Sequence, residues 1–333
     1  MRARPEGIDE SSIGDALRDG WDFDTAVATY APVGAGSYHW EVADTEGRRG
    51  FVTVDDLGQK AWLGETHDEV LEELRCAFDT SSVLWEGGLD FVVAPIPARE
   101  GGTLRRLDAR YSIALFPFVD GEAGIFGQYD DDGRRAVLEL IAELHLATTA
   151  AGTAVRTAGL GVPGRHLVDS ALRQVDEPWT GGPLSERARE AVRDCRGELA
   201  ELLALADRLS ADAQNRGGNW VVTHGEPHAG NVIQTSEGRL LVDWDTVAIA
   251  PPERDLWMLV ERGDPGDLYV QATGAQINEA ALDFFRLAWD LGDLSEYLNV
   301  LRSPHQENDD TLRHHGALAD CGAIRERWAA LLD

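Results

Sequence analysis

The sequence predicts an α+β chain of two lobes, an antiparallel-sheet N-lobe and a mainly helical C-lobe. Three observations carry this reading. Short runs that alternate apolar and polar residues, broken by glycine-rich turns, fill the chain up to residue 117. Long stretches with apolar residues every three or four positions follow from Arg134 onward. A polar loop entering a short hairpin, residues 219–243, lies among them. At 333 residues the chain is long enough to build two cores, and it shows no internal repeat.

Taken in order, Ser11 to Asp19 reads as a short helix. Thr25 to Val33 and Ser37 to Val42 read as strands around Gly34-Ala35-Gly36. A turn at Asp44-Thr45-Glu46-Gly47 leads to a strand at Phe51 to Val54. Glycines at a hairpin tip let backbone amides approach a phosphate closely, so Gly34, Gly36 and Ser37 are candidate nucleotide contacts; a plain turn is the competing reading. Thr66 to Phe78 predicts a helix: Thr66 and Glu69 form a capping box, and Val70, Leu71, Leu74, Ala77 and Phe78 share one face. Phe91 to Ala94 and Tyr111 to Phe116 read as strands, the second closing in Pro117-Phe118-Val119-Asp120-Gly121. Helices are expected over Arg134 to Thr149, Leu184 to Leu209, Asn278 to Leu291, Leu294 to Leu301 and Asp309 to Leu332.

The loop His224-Gly225-Glu226-Pro227-His228-Ala229-Gly230-Asn231 is the most informative segment. Asn219 to Thr223 reads as a strand before it. Val232-Ile233 and Leu240 to Val242 read as two strands after it, turned by Ser236-Glu237-Gly238, and Asp243-Trp244-Asp245 follows. The spacing suits phosphoryl transfer: Glu226 to accept a hydroxyl proton, Asn231 and Asp243 to hold magnesium against nucleotide phosphates. Two other chemistries fit poorly. His224-x-Glu226 is half of a zinc-deaminase signature, but no Pro-Cys-x-x-Cys follows. His224 and His228 have zincin spacing, but that motif needs a helix and Pro227 breaks one.

HGEPHAGN…VDWD resembles the HGDxHxGN…IDWD signature of the aminoglycoside phosphotransferase family. Ala250-Pro251-Pro252-Glu253-Arg254-Asp255-Leu256 resembles the APxERDL run of its spectinomycin-phosphotransferase branch. The resemblance is strongest from Trp220 to Trp257. It implies a bilobal protein-kinase-like fold, with a nucleotide-binding N-lobe at residues 1–117 and a C-lobe at 118–333 carrying the catalytic loop and acceptor site. It implies ATP, Mg2+ and transfer of the γ-phosphoryl group to a hydroxyl of a small molecule, with antibiotic resistance or self-protection as the biology. By the same resemblance, the linker at Pro117 and Val119 binds adenine through its backbone. Glu69 or Glu73 pairs with a nucleotide-side lysine. His224 and Asp255 brace the catalytic loop. His228 either reaches nucleotide or substrate or packs the loop, and Asp245 either assists metal or substrate or caps the strand.

The chain departs from the family twice. Glu226 stands where the family has Asp. The extra methylene moves the carboxylate by about 1 Å, and misplacement of that size can cost ~100-fold in rate. The strand lysine of the fold is missing: by alternation Thr53 occupies the nucleotide-side position of Phe51 to Val54. Lys60, the only lysine, is the expected substitute, with Arg48, Arg49 and Arg75 as rivals. The two departures keep open a nucleotide-binding pseudokinase. A same-fold kinase of another alcohol, such as choline, a sugar, homoserine, or a nucleoside or peptide antibiotic, is the other alternative.

On the acceptor side, Asp290, Asp293 and Glu296 recur at three-residue steps beside Trp289 and Tyr297. Carboxylates beside aromatics suit a cationic, hydroxylated ligand; a solvated acidic face is the plainer reading. Net charge is −29, which excludes a typical nucleic-acid binder and would attract a cationic antibiotic. Host adaptation explains most of that charge. No run reaches the roughly 20 apolar residues of a membrane span, and Met1 to Asp9 is no signal peptide. Cys76, Cys195 and Cys321 are scattered, so reduced thiols and a cytoplasmic location are expected. Oligomeric state, ATP-versus-GTP preference and the hydroxyl modified are left open.

Overall fold

The computed structural model describes residues 1–152, 155–264 and 266–332. The alternating runs of the N-terminal third pair into one antiparallel sheet of five strands: β1 (Thr25–Ala31), β2 (Ser37–Asp44), β3 (Arg49–Asp56), β4 (Arg105–Arg106) and β5 (Tyr111–Pro117), in the order β1-β2-β3-β5-β4. Because side chains alternate across a strand, the sheet has two distinct faces. Tyr38, Trp40, Val42, Val52, Val54, Ile113 and Leu115 are buried together with Ile13 and Leu17 of α1 (Glu10–Trp21). The opposite face meets α2 (His67–Glu86), where Val70, Leu74 and Phe78 pack on Ala114 and Phe116. Each such side chain contributes about 1.5–3 kcal/mol when fully buried. His39, Phe51, Thr53 and Asp55, on this second face by alternation, are available to the cleft below.

Both arms of the α2 capping box form: Thr66 Oγ1 accepts from Glu69 N at 3.2 Å, and Glu69 Oε2 accepts from Thr66 N at 2.9 Å. The helix runs beyond Phe78 because Ala77 and Leu84 continue its apolar face into a second core, shared with the C-terminal part. Phe91 to Ala94 is not the strand expected. It docks on the hairpin of residues 232–241 through a parallel bridge, Val92 to Leu241, flanked by Leu241 N to Phe91 O at 2.7 Å and Val93 N to Leu241 O at 3.0 Å. The place beside β5 is taken by β4 instead.

The C-terminal part comprises α3 (Asp131–Leu146), α4 (Arg165–Arg173), α5 (Ser185–Asp194), α6 (Arg196–Arg216), α7 (Glu253–Leu256), α8 (Asp267–Thr273), α9 (Glu279–Arg302), α10 (Asp309–Ala319) and α11 (Cys321–Leu332). Two small sheets lie among them. One pairs β7 (Val221–Thr223) with β10 (Ala248–Ala250); the other orders β6 (Glu122–Ala123), β8 (Val232–Gln234) and β9 (Arg239–Leu241). The single helix expected over Leu184 to Leu209 is broken at Cys195. That residue is disulfide-bonded, a correction to the expectation of reduced thiols. The two helices expected within 278–301 are one, α9, because Gly292 stays helical against Pro163. Residues 309–332 divide into α10 and α11. Leu199, Leu202, Phe284, Leu287, Leu291 and Leu298 anchor this helical core. Among the described residues, no helix is long and apolar enough to cross a membrane.

Polar contacts join the two parts at several points, Arg49 to Asp120 at 2.8 Å among them. Asn299 Nδ2 donates to Gly58 O at 2.9 Å, Lys60 Nζ meets Asp245 Oδ2 at 2.6 Å, and the backbone N–H groups of Arg2 and Ala3 donate to the Asp310 carboxylate.

Candidate active site

The floor of the cleft is the loop between β7 and β8 together with the residues after β9. Asp255 holds the loop from beneath: its carboxylate accepts from His224 N at 2.9 Å, from Gly225 N at 2.6 Å and from His145 Nε2 at 3.0 Å. Burial alone would raise Asp255. The hydrogen bond from His145 and the nearby His145, His224 and Arg254 hold it below the usual carboxylate range, so it stays ionised. His224 is fully buried. Its Nε2 donates to Val242 O at 2.9 Å and its Nδ1 accepts from Glu226 N at 3.2 Å, so the ring ties the loop to the hairpin. Burial keeps it neutral by lowering its pKa. Gly225 has φ +101°, and a Cβ there would lie 2.4 Å from the Arg254 guanidinium, so only glycine passes.

Asn231 Nδ2 donates to Glu226 O at 3.0 Å, which turns its amide oxygen away from the loop. Asp243 follows β9 with φ +67°, a left-handed conformation that Asp tolerates better than most residues. Its side chain reaches solvent within the cleft yet is enclosed by protein. Burial, then Asp245, raises its carboxyl to about 7. Glu226 is pushed well above the usual carboxylate range by burial, then by Asp245 and Asp243. Glu226, Asp243 and Asp245 thus crowd three carboxylates into one place. Asn231 Oδ1 and the Asp243 carboxylate are hard oxygen donors of the kind that could hold Mg2+.

Lys60 lies in this cleft, against Asp245 at 2.6 Å and Asp55 at 3.2 Å. Burial would lower its ammonium, but Asp245, Asp55 and Asp243 more than offset that, so it stays charged. Its rivals point elsewhere: Arg48 pairs with Asp44, Arg75 with Glu72, and Arg49 with Asp120 while stacking on Phe118. Glu69 requires a correction. Its carboxylate serves Glu65 N and Thr66 N at the exposed helix start and does not meet Lys60. Glu73 lies one turn on, within charge range of Arg156. Gly34 and Gly36 have φ +67° and +82°, and a Cβ on Gly36 would lie 4.0 Å from Lys60 Nζ. Ser37 Oγ donates to Asp55 at 2.6 Å rather than standing free toward the cleft. Thr53 is buried beneath the loop, and its hydroxyl lies 3.3 Å from His39 Nδ1. Pro117 ends β5, and Val119 packs beside Phe116 and Phe78.

On the acceptor side, His228 sits in an aromatic nest. Phe126 meets it edge-on at 4.8 Å and stacks on Trp289 at 6.0 Å, while 56 % of Phe126 stays exposed. Burial, then His224, lowers the His228 imidazole to about 4, so it is neutral. On α9, Asp293 and Glu296 are half-buried; burial, Glu296 and Asp290 raise Asp293 to about 7, and burial raises Glu296. Lys60 and Asp245 are the charges that act on Glu296 from the cleft. Asp290 is a second correction: it accepts from Arg327 and from Trp328 Nε1 at 2.7 and 2.9 Å, anchoring α11.

Four residues of the site escaped sequence reasoning. Asp55 and His39 come from strand alternation once the register is known. Phe126 lies in a segment without a motif. Arg156 donates to Val247 O and Thr246 O, and Arg254 shares the Thr246 carbonyl, so two half-buried guanidiniums back the acidic floor. Arg254 stands within a recognisable run, whereas no local signal marks Arg156.

Residues 29–297 match the profile of the phosphotransferase enzyme family (APH). Protein StrN of Streptomyces griseus is 29% identical over 240 residues, which cover 70% of this chain and 72% of that protein. The fold is similar to that of spectinomycin phosphotransferase APH(9)-Ia in complex with ADP and spectinomycin (TM-score 0.67, 18% identity, 96% of this chain and 99% of that one). It is also similar to amicoumacin kinase hAmiN in complex with AMP-PNP, Ca2+ and Ami (TM-score 0.57, 12% identity, 94% of each chain). The profile spans most of the sequence and includes the whole catalytic hairpin, and on that ground the chain belongs to the phosphotransferase enzyme family, as a small-molecule kinase with a hydroxyl acceptor.

Proposed function

We propose that the chain transfers the γ-phosphoryl group of ATP to a hydroxyl of an amine-bearing antibiotic, with Mg2+, as a resistance or self-protection enzyme. The observation that carries this is the convergence of Glu226, Asn231, Asp243 and Lys60 in one cleft beneath a glycine loop. The lobes meet at residues 117/118. Pro117 O and Val119 N lie two residues apart on an extended linker and would bind adenine, while the loop at Gly34, Gly36 and Ser37 covers the phosphates. Lys60 would supply the cation that Thr53 does not, leaving Asp55 and Asp245 for the phosphates.

Asn231 and Asp243 would hold Mg2+, which neutralises charge on the β- and γ-phosphates. Glu226 takes the acceptor hydroxyl proton. The hydroxyl oxygen bonds to the γ-phosphorus as the bond to the ADP oxygen breaks, giving a phosphate ester and ADP. A base whose pKa lies above the ordinary carboxylate value is a better proton acceptor near neutrality. Asp245 faces this centre through Lys60. Asp293, Glu296 and the His228–Phe126–Trp289 aromatics would receive the acceptor's amines and rings.

The test is mass spectrometry of hydroxylated antibiotics, spectinomycin and other aminoglycosides included, incubated with protein and Mg·ATP. A phosphate-sized mass gain that disappears with Glu226→Ala is expected. No gain on any compound, with Mg·ATP still bound, would favour a binding-only protein.

A further inference from the structure

The cleft ceiling carries a histidine whose place invites a role. His39 lies on β2 directly opposite Thr53 of β3 in the strand register, on the face turned to the cleft. Its ring stacks on Phe51 at 5.1 Å with 26° between planes, and its Nδ1 lies 3.3 Å from the Thr53 hydroxyl. The two contacts fix the ring plane and leave Nε2 directed at the glycine loop, where a Cβ on Gly34 would lie 3.6 Å away. His39 is half-buried, and the Val52 backbone also lies within hydrogen-bonding reach of its ring. Lys60 is close enough to act on its charge. Thr53, where the fold places its lysine, is thus hydrogen-bonded to a second polar group that reaches the same space.

We propose that His39 is a nucleotide-contacting residue: with the Thr53 hydroxyl donating to Nδ1, Nε2–H donates to a phosphate oxygen under the glycine loop. This rests on the reading of the cleft as an ATP site. His39 and Lys60 then divide the task of the missing strand lysine, His39 giving a directed hydrogen bond from the ceiling and Lys60 a charge from its buried place between Asp55 and Asp245. Burial, the Met1 ammonium and Lys60 push the imidazole down to about 3, so in the absence of nucleotide it is a neutral donor of one proton. Ceiling and loop are joined covalently, since Gly34 and Gly36 precede β2 by only a few residues. A contact from His39 would therefore also order the loop over the phosphates.

The experiment is calorimetric titration of the full chain and of His39→Ala with Mg·ATP and, separately, with adenosine. A hydrogen bond to a charged oxygen is worth roughly 1.5–3 kcal/mol, so about 10- to 100-fold weaker Mg·ATP binding is expected in the variant. Adenosine binding is expected to stay within about twofold, because it carries no phosphate. His39→Gln, which keeps a donor of similar reach, should recover part of the loss. Unchanged Mg·ATP affinity in His39→Ala would overturn the proposal, and so would equal weakening of ATP and adenosine, which marks a packing role. Absence of ATP binding to the unaltered chain would instead overturn the nucleotide-site reading itself.

Discussion

In the floor of the cleft, the side chains of the proposed chemistry come from one stretch of chain, Glu226 to Asp245. A buried net of Asp255, His224 and His145 fixes the backbone that carries them. In the ceiling the polar groups come from separate places: Ser37 and His39 from β2, Thr53 and Asp55 from β3, and Lys60 from the turn that follows. The closest ceiling-to-floor contact joins Lys60 to Asp245, 185 residues apart in sequence. The floor keeps the family's pattern with one exchange, Glu226 for Asp. The ceiling has lost its strand lysine and gathers polar groups from its surroundings. A site that must order reacting atoms has little positional freedom, whereas charge on a phosphate can be met from several directions.

If the floor is the fixed part, its substitutions should be the most damaging. Asp243→Ala is expected to lower kcat by about 1000-fold or more, since the ligand proposed for Mg2+ and its charge stabilisation would be lost. Glu226→Gln should lower kcat by about 100-fold or more while leaving Mg·ATP affinity near that of the unaltered chain. Steady-state kinetics with a phosphorylated acceptor separates the two. Comparable losses from ceiling substitutions would erase the contrast.

The acceptor wall offers a pH-dependent test. Asp293 is raised to about 7 by burial, Glu296 and Asp290. The stability it contributes is therefore present in full below the ordinary Asp value near 3.9 and lost as pH rises to about 7. Asp293→Asn should raise the melting temperature at pH 8 and change it little at pH 4, by scanning calorimetry, while raising KM for an amine-bearing acceptor. A variant less stable at pH 8 would show that Asp293 is paired, not repelled. The smallest effect is expected at Glu69. Glu69→Ala removes one arm of the capping box and should lower the melting temperature slightly, with KM for ATP unchanged. A rise in that KM would bring Glu69 back into the nucleotide site.

The same contrast explains what the sequence disclosed. The hairpin was legible because its residues, turns and strands are contiguous, and Asp255 stands close behind. Four strands of the five-stranded sheet were legible from alternation; the two-residue β4 is too short to show a period, and the apolar run Phe91 to Ala94 serves the hairpin's edge instead. The position of Thr53 followed from alternation, but its partner His39 required the β2–β3 register. Lys60 could be named only beside three arginines, since spacing does not tell which cation a turn folds inward. Asp290 shared a helical face with Asp293, yet α11 covers it. Such coverage depends on packing between distant segments, which periodicity does not encode.

Lys60 is the proposed cation of a site without its strand lysine. The direct measurement is the Mg·ATP affinity of Lys60→Met against that of the unaltered chain, with adenosine as the control for folding of the cleft. Mg·ATP binding at least about 10-fold weaker, with adenosine binding retained, is the predicted result. Unchanged Mg·ATP affinity and turnover would contradict it.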